Sequence, residues 1–513
     1  MYCSKSNVRS NLIPEFYNSM KHFNLILTGI FLFSFLFLPA LLQADRFTIA
    51  TPTGEREEVV GRIHGTGQGA IAIERRDGGM KLVAQGAVLE RDNSVDWEPY
   101  TTQEMVEHLT EKFGSDLFRS FTDDHFVIGM VLMGQLDRTG EASATGFMRK
   151  ASQFMNNVQS VFESFAKDMR LEIQDPETPL VLLIFESDDD FNKYAMEVTK
   201  GQGLSVSRIS GFYDGMTNFL SIRMAECSTF EVPLHEAIHQ QVYNRGLLKR
   251  LAPIPAWFNE GIATGFEANK DRIRSGPSKV HSRFAAKAPK VEQVGWDDLI
   301  SEDLAFQGDV MAGDAYCLAW CLHWLLVNEH PKEYTEYVKM LSEKEPLLKE
   351  EDSARKREFE QFFGDDMESL KQEFIRSLNT AMRRQKNVRE EPQKAGYYYA
   401  QQGLADIELN AILRGDRGGL LELDGRIRNI NPLRSLTFAV SVVTDGGNYA
   451  QWILPDVDSN QVMRLPKKYA QEVVPGRNPQ PSGSFRVNIR SILPESTEAQ
   501  SWQRGNLPDP TKG

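Results

Sequence analysis

The middle of the chain switches between helical and strand-like spacing of its apolar residues. Over residues 145–170 they recur three or four positions apart, which predicts an amphipathic helix with one buried side. The short apolar run Leu180–Phe185 predicts a buried strand, and the alternating run Thr217–Met224 predicts a second one. Further helices are expected at residues 311–328 and 349–385. This mixture predicts an α+β domain over residues 101–390.

Both flanks of this domain have the pattern of β structure. Short strand-like pieces between glycine-rich turns predict a small β unit at residues 45–100, which resembles an SH3-like barrel. Strand-like runs at Leu436–Val443 and Phe485–Ile489 predict a C-terminal β-containing domain at residues 391–513. The last residues, 503–513, are expected to form a disordered tail.

Residues 1–44 have the pattern of an export signal. Leu25–Leu42 is almost entirely apolar and follows Lys21, with Met20 as a possible true start and Ala44 as a small residue before a cleavage point. The same run is long enough to span a bilayer if it is not cleaved. We therefore expect an exported protein of the periplasm, cell envelope or extracellular space, with membrane contact only through this segment.

Composition narrows the possible partners. The 513 residues carry a formal net charge of -13, which repels phosphate backbones and argues against nucleic-acid binding. Beyond the export signal the chain has three cysteines, Cys227, Cys317 and Cys321, too few and too scattered for a disulfide framework. Cys317 and Cys321 lie in an apolar run and are expected to be small buried side chains.

Residues 235–239 read His-Glu-Ala-Ile-His. Residues four apart lie on one face of a helix, so His235 and His239 can bind a single metal ion. In this motif Glu236 is the general base. A catalytic zinc needs a third protein ligand and an open position for water, and Glu260, in the second short helix that starts near Pro255, is the best candidate.

Two other carboxylates are alternative candidates for the third ligand. Glu267 lies two turns beyond Glu260, and Glu231 lies just before the first motif. Gly261 and Ala263 provide small residues where the two motif helices must approach each other closely. Asp314 is a candidate for orienting a metal ligand by a hydrogen bond, without binding the metal itself. Trp320 and His323 are expected to be packing residues.

The two motifs together resemble those of gluzincins, the thermolysin-like and aminopeptidase-like zinc peptidases. The resemblance rests on His235-Glu236-x-x-His239 followed by Trp257-x-x-Glu260-Gly261. The segment 211–224 resembles the edge strand that lines the substrate cleft of those enzymes. Residues from about 120 to 385 are also similar to an uncharacterised bacterial family with a peptidase-like domain of unknown function. The exopeptidase motif Gly-Ala-Met-Glu-Asn is absent from the sequence, so aminopeptidase activity is not implied.

The resemblance implies a zincin-like metallopeptidase domain that binds Zn²⁺ through His235, His239 and Glu260. It implies hydrolysis of a peptide or protein substrate, with Glu236 as base and Tyr316 as donor to the oxyanion. A rival hypothesis keeps the fold and the metal without hydrolysis, as a catalytically silent binding or scaffold protein of the envelope. The intact Glu236 favours the enzyme, because a pure binding site needs no base there.

Overall fold

The computed structural model describes residues 43–199, 210–228, 231–267, 273, 276–291, 294–306, 309–351, 353–384, 397–414, 420–444, 447–471 and 485–510. The expected signal segment lies outside these residues up to position 42, as does the end of the expected tail beyond position 510. Gln451 and Asn488 donate side-chain hydrogen bonds to the carbonyls of Pro508 and Pro510, at 3.1 and 2.7 Å.

The predicted N-terminal β unit is a five-stranded sheet. Its strands are β1 (Gln43–Ala50), β2 (Arg56–Gly67), β3 (Ala70–Glu74), β4 (Met80–Ala84) and β5 (Val88–Asp96). Neighbouring strands are antiparallel in the order β4-β3-β2-β1-β5. A small core of its own includes Phe47, Ile49 and Ile73. Ala44, the residue before the expected cleavage point, is buried in β1 and pairs with Val95.

A second five-stranded sheet forms the base of the central region. Its strands are β6 (Phe118–Asp123), β7 (Phe126–Val131), β8 (Leu180–Phe185), β9 (Gly211–Asp214) and β10 (Phe219–Arg223). The order is β6-β7-β8-β10-β9; β8 is parallel to β7 and β10, while β6 and β9 are antiparallel edge strands.

Helices cover both faces of this sheet. They are α1 (Thr102–Phe113), α2 (Arg138–Asp168) and α3 (Asp188–Thr199). Alternate residues of β8 pack in two different clusters: Leu182 with residues of α2, and Leu183 with residues of α1 and α3. Burial on both faces is the reason that the predicted strand at 180–185 is apolar throughout.

The chain then builds a helical layer. It consists of α4 (Glu231–Asn244), α5 (Ala256–Phe266), α6 (Ser282–Lys287), α7 (Trp296–Ser301), α8 (Asp309–Glu329), α9 (Pro331–Glu343), α10 (Ala354–Phe363) and α11 (Met367–Arg384). The single charged helix expected at 349–385 is two helices, because α10 ends at Gly364, whose φ of 80° favours glycine. The helix expected at 311–328 is α8.

The C-terminal region holds two further sheets, as the β-rich pattern predicts. One sheet has the order β11-β12-β13-β16 and the other β15-β14-β17. The elements are β11 (Tyr397–Gln402), β12 (Ala405–Arg414), β13 (Leu420–Asn429), β14 (Leu436–Thr444), β15 (Tyr449–Val457), β16 (Val462–Gln471), β17 (Phe485–Ile492) and α12 (Thr497–Gln503). Buried residues of both sheets share one core with the central region.

The described residues therefore form a mixed α+β protein with several sheets and twelve α-helices. A buried ion pair between Arg434 and Glu186, at 2.8 Å, joins the C-terminal sheets to the end of β8. Within the described ranges, no helix combines the length and apolar character needed to cross a bilayer.

Candidate metal centre

Helix α4 carries the first two candidate ligands on one face. The Nε2 atoms of His235 and His239 lie 3.1 Å apart, and their rings meet edge to face at 4.8 Å between centroids. Leu234, Ala237 and Ile238 are fully buried on the same helix. Their packing fixes the rotation of α4, so both imidazoles face the neighbouring helix α5.

Helix α5 supplies the third candidate. Glu260 Oε2 lies 3.1 Å from His235 Nε2 and 3.6 Å from His239 Nε2. One ligand atom from each residue lies within 4.8 Å of the other two, and all three residues are buried. The structure thus brings together the three residues that the two motifs predict, in a group that could hold a metal ion.

Close packing of α5 on α8 sets the position of Glu260. A Cβ on Gly261 would lie 2.9 Å from the Ala319 carbonyl oxygen and 3.1 Å from His323 Cβ. Only glycine fits at this crossing without displacing the α8 backbone, as the small residue in the motif suggests. On its other side α5 is held by Trp257, whose ring stacks on Tyr337 at 5.9 Å between centroids.

The carboxyl group of Glu260 is buried among histidines. Burial acts to raise the pKa of Glu260, but hydrogen bonds from His235 and His239 and their positive charge when protonated hold it well below its ordinary value. The ion pairs that described residues make with Glu260 come from these two histidines. A buried carboxylate in this setting is ready to bind a cation.

Glu267 contacts the outer side of His235 instead of joining the three ligand atoms. His235 Nδ1 donates to Glu267 Oε1 at 2.6 Å, which leaves Nε2 directed at Glu260. His281 Nε2 lies 3.8 Å from the other Glu267 oxygen. A carboxylate on the remote nitrogen fixes the tautomer and orientation of a ligand histidine. Of the other alternative, Glu231, the side chain lies outside the described part of the structure.

Residues 231–348 match the family described as Protein of unknown function (DUF1570). This DUF1570 segment runs from the first residue of α4 to just beyond α9 and covers less than a quarter of the chain. The expected resemblance to a family of unknown function is confirmed for this part, although the match begins at residue 231 and not near residue 120. No curated protein matches the sequence.

The DUF1570 segment meets the edge strand β9 at Glu236. Its Oε2 accepts a hydrogen bond of 2.8 Å from the backbone N–H of Tyr213. The motif suggests the role of Glu236, but sequence reasoning missed this backbone partner, because a main-chain donor leaves no mark in the choice of side chain. Next to the ligands, Tyr243 donates to Asn259 Oδ1 at 3.0 Å and links α4 to α5.

Helix α8 carries the remaining predicted residues. Tyr316 lies in the first half of the helix, and its ring centroid is 6.1 Å from that of His235. Asp314 forms an ion pair of 2.7 Å with Lys287. Trp320 and His323 are fully buried, as expected for packing residues. Burial lowers the pKa of His323 to about 3, so its imidazole stays neutral.

Proposed function

We propose that this protein is a zinc-dependent peptidase of the gluzincin kind. In this proposal His235, His239 and Glu260 hold the metal ion and Glu236 is the general base. The observation that carries it is the convergence of two imidazole nitrogens and one carboxylate oxygen within 4.8 Å. Two histidines and one glutamate, with a position left for water, are the donor set of several catalytic zinc sites.

The distances between donor atoms support a tetrahedral ion. Zinc at ~2.0–2.2 Å from each donor, with tetrahedral angles, separates the donors by roughly 3.3–3.6 Å. The corresponding separations among His235, His239 and Glu260 are 3.1, 3.1 and 3.6 Å. The hydrogen bond from His235 Nδ1 to Glu267 also leaves the Nε2 lone pair directed at the site.

The chain's own groups suggest the path of the protons. When bound, Zn²⁺ would supply a Lewis acid that lowers the pKa of water to about 7 and polarises a carbonyl oxygen. Glu236 takes a proton from the attacking water and later delivers it to the leaving amine. The N–H of Tyr213 orients the Glu236 carboxylate before a substrate arrives. Tyr316 is the proposed donor to the oxyanion.

The wider assignment follows from the same proposal. The central region is a zincin-like domain, the N-terminal unit is an SH3-like module, and the substrate is a peptide or protein. The export pattern at residues 1–44 supports a reaction in the periplasm, cell envelope or extracellular space. The rival is a silent zincin-like binding or scaffold protein, which would keep the metal and lose hydrolysis.

Metal analysis combined with a cleavage assay tests the proposal. The purified full chain and its Glu236→Gln variant are measured for bound metals by mass spectrometry and for cleavage of a library of unstructured peptides. We expect about one zinc per chain in both proteins. The wild type should cleave, and the variant should be slower by about 10² to 10⁴-fold because it lacks the base.

Other outcomes of the metal analysis and the cleavage assay would each contradict one part of the peptidase proposal. Bound zinc with no cleavage by the wild type would favour the silent scaffold. Equal cleavage by the two proteins would remove Glu236 from the mechanism, and absence of zinc from the wild type would refute the metal site. Coincident thermal unfolding curves would show that the variant is folded.

A further inference from the structure

The sheet β11-β12-β13-β16 has one face in the core and one in solvent. Its inner face contributes Ile407, Leu409 and Leu423 to the core. Because residues alternate along each strand, the remaining positions point outward. Large side chains are exposed there: Tyr397, Tyr399, Ile412, Val462 and Tyr469. A concentration of exposed aromatic and aliphatic groups on one face is typical of a binding surface.

An open depression of about 440 Å³ lies on this outer face. Its walls include Tyr397, Glu408, Asn410, Arg426, Val462 and Arg464. The lining combines an aromatic ring with planar hydrogen-bonding groups, whereas a site for an apolar ligand would have a mostly apolar lining. These side chains come from all four strands of the sheet, so the backbone ladder fixes their spacing.

Most of the polar groups in the depression are already engaged with one another. Arg426 donates two hydrogen bonds to Glu408, from Nε at 2.9 Å and from Nη2 at 2.8 Å. Desolvation and the neighbouring Glu408 carboxylate raise the pKa of Tyr397. The ring of Tyr397 is 38 % exposed and offers an aromatic surface to a ligand.

Arg464 is the exception. It lies directly opposite Arg426 on the neighbouring strand, an arrangement of like charges that destabilises a sheet. Glu408 neutralises Arg426, whereas Arg464 forms no ion pair within the described ranges of the chain. The depression thus carries an unmatched positive charge on a protein whose net charge is -13. The aromatic ring of Tyr397 lines the same depression, two strands away from Arg426. A guanidinium without an ion pair among the described residues, in the same depression as an aromatic ring, is complementary to a short ligand that carries both a carboxylate and a flat, partly apolar ring.

We propose that this depression binds a short oligosaccharide that carries carboxylate groups, such as an oligomer of uronic acids. The face of Tyr397 packs against a sugar ring, and Arg464 binds the sugar carboxylate with two parallel hydrogen bonds. The amide of Asn410 donates to Asp424 Oδ1 at 2.8 Å, and its carbonyl oxygen accepts a hydrogen bond from a sugar hydroxyl. The net charge of the protein repels long polyanions such as nucleic acids, so the ligand is short or sparsely charged.

Calorimetric titration of the full chain tests this site. The probes are oligomers of galacturonic, glucuronic and mannuronic acid, each beside its neutral counterpart of galactose, glucose or mannose. The wild type should bind at least one uronic acid oligomer more tightly than the matching neutral sugar. Arg464→Gln should weaken that binding roughly tenfold to a hundredfold by removing a charge-assisted contact. Tyr397→Ala should weaken it about twofold to tenfold by removing the packing surface.

Exposed residues of the other C-terminal sheet provide matched controls. Tyr449 on β15 is 51 % exposed, and Arg486 on β17 is also exposed; Tyr449→Ala and Arg486→Gln should bind as the wild type does. Glu236→Gln should also bind normally, so failure of the peptidase proposal leaves this test intact.

Three results would overturn the proposal. They are no binding of any uronic acid oligomer by the wild type, equal binding by Arg464→Gln and the wild type, and self-association of the wild type that Tyr397→Ala abolishes. The last result, measured by sedimentation, would make the face an interface between copies of this chain.

Discussion

Two buried carboxylates in this protein have opposite surroundings. Glu74 in β3 is 4 % exposed and forms ion pairs with Arg250 at 2.6 Å and Arg62 at 2.7 Å. Glu260 in α5 is 8 % exposed, and its ion-pair partners in the described ranges are the imidazoles of His235 and His239. The chain neutralises the first carboxylate with its own guanidinium groups, whereas the second is grouped with two imidazoles and could bind a metal cation.

The difference separates a structural joint from a candidate metal site. Arg250 lies in the connection between α4 and α5, and its side chain also donates to the Gly78 carbonyl at 2.6 Å. This joint attaches the N-terminal sheet to the segment that links the two ligand-bearing helices. A buried carboxylate that the arginines of the chain neutralise stabilises one arrangement of the chain. A buried carboxylate without a permanent countercharge from the chain favours binding of a cation.

Breaking the joint should have the largest effect on stability. Arg250→Met keeps the length of the side chain but leaves Glu74 short of one guanidinium, and should lower the free energy of unfolding by about 3–5 kcal/mol. The neighbouring variant Lys249→Met is the control, because the Lys249–Glu345 pair is exposed and should contribute less than about 1 kcal/mol. Urea unfolding measures both, and a similar small loss in the two variants would contradict the comparison.

Acid titration checks the physical basis of that loss. Burial acts to raise the pKa of Glu74, but His64, Arg250 and Arg62 lower it to about 2. Because the folded pKa lies below the ordinary value of 4.5, the stabilisation is complete above about pH 4.5 and is lost as the pH falls toward 2. A shift of this size corresponds to about 3 kcal/mol. In Arg250→Met this part of the pH dependence should be smaller.

The metal site should respond differently. In the absence of metal, Glu260→Gln should lower the free energy of unfolding by less than Arg250→Met does, because the partners that Glu260 loses are imidazoles, which are charged only when protonated. Zinc at about 100 times its dissociation constant should stabilise the wild type by about 2.7 kcal/mol. The variant, which lacks the carboxylate ligand, should gain less than about 1 kcal/mol at the same zinc concentration.

Unfolding with and without zinc measures both quantities. A chelator establishes the metal-free state, and Arg250→Met serves as the control, because it should lose stability in both states and keep the gain from zinc. An equal gain from zinc in Glu260→Gln and the wild type would show that Glu260 is not a ligand.

The sequence predicts a strand or helix when its apolar residues repeat with the spacing of that element, so that they all lie on its buried side. The apolar strand at 180–185 is bounded by Pro179 and Glu186, so its bounds follow from the sequence. Strand β5, Val88–Asp96, has no such pattern of its own, because it contains Glu90, Arg91, Asp92 and Asn93 and forms through pairing with β1. Pairing between distant segments outweighs local preference in such strands.

The same contrast applies to the site. His235, His239 and Glu260 could be predicted because helical spacing alone places the histidines together and a second motif supplies the glutamate. The contact of Glu267 with His235 depends on how α5 crosses α4, which no local pattern contains. Glu267 is seven residues after Glu260, which places it about two helical turns further along on a similar face. From the sequence alone, this spacing makes Glu267 an alternative metal ligand and not a partner of His235.

Glu267 offers the finest test, because the sequence predicts Asp314 as the residue that orients a ligand, whereas in the structure it is Glu267 that contacts His235. Glu267 accepts a hydrogen bond from His235 Nδ1, while Asp314 pairs with Lys287. Replacing Glu267 with Gln keeps an acceptor but removes its charge, so His235 becomes a weaker and less fixed ligand. Zinc affinity, measured by competition with a chromophoric chelator, should fall about 10 to 100-fold. Asp314→Asn should leave it unchanged, and a larger loss in Asp314→Asn than in Glu267→Gln would reverse the assignment of the orienting carboxylate.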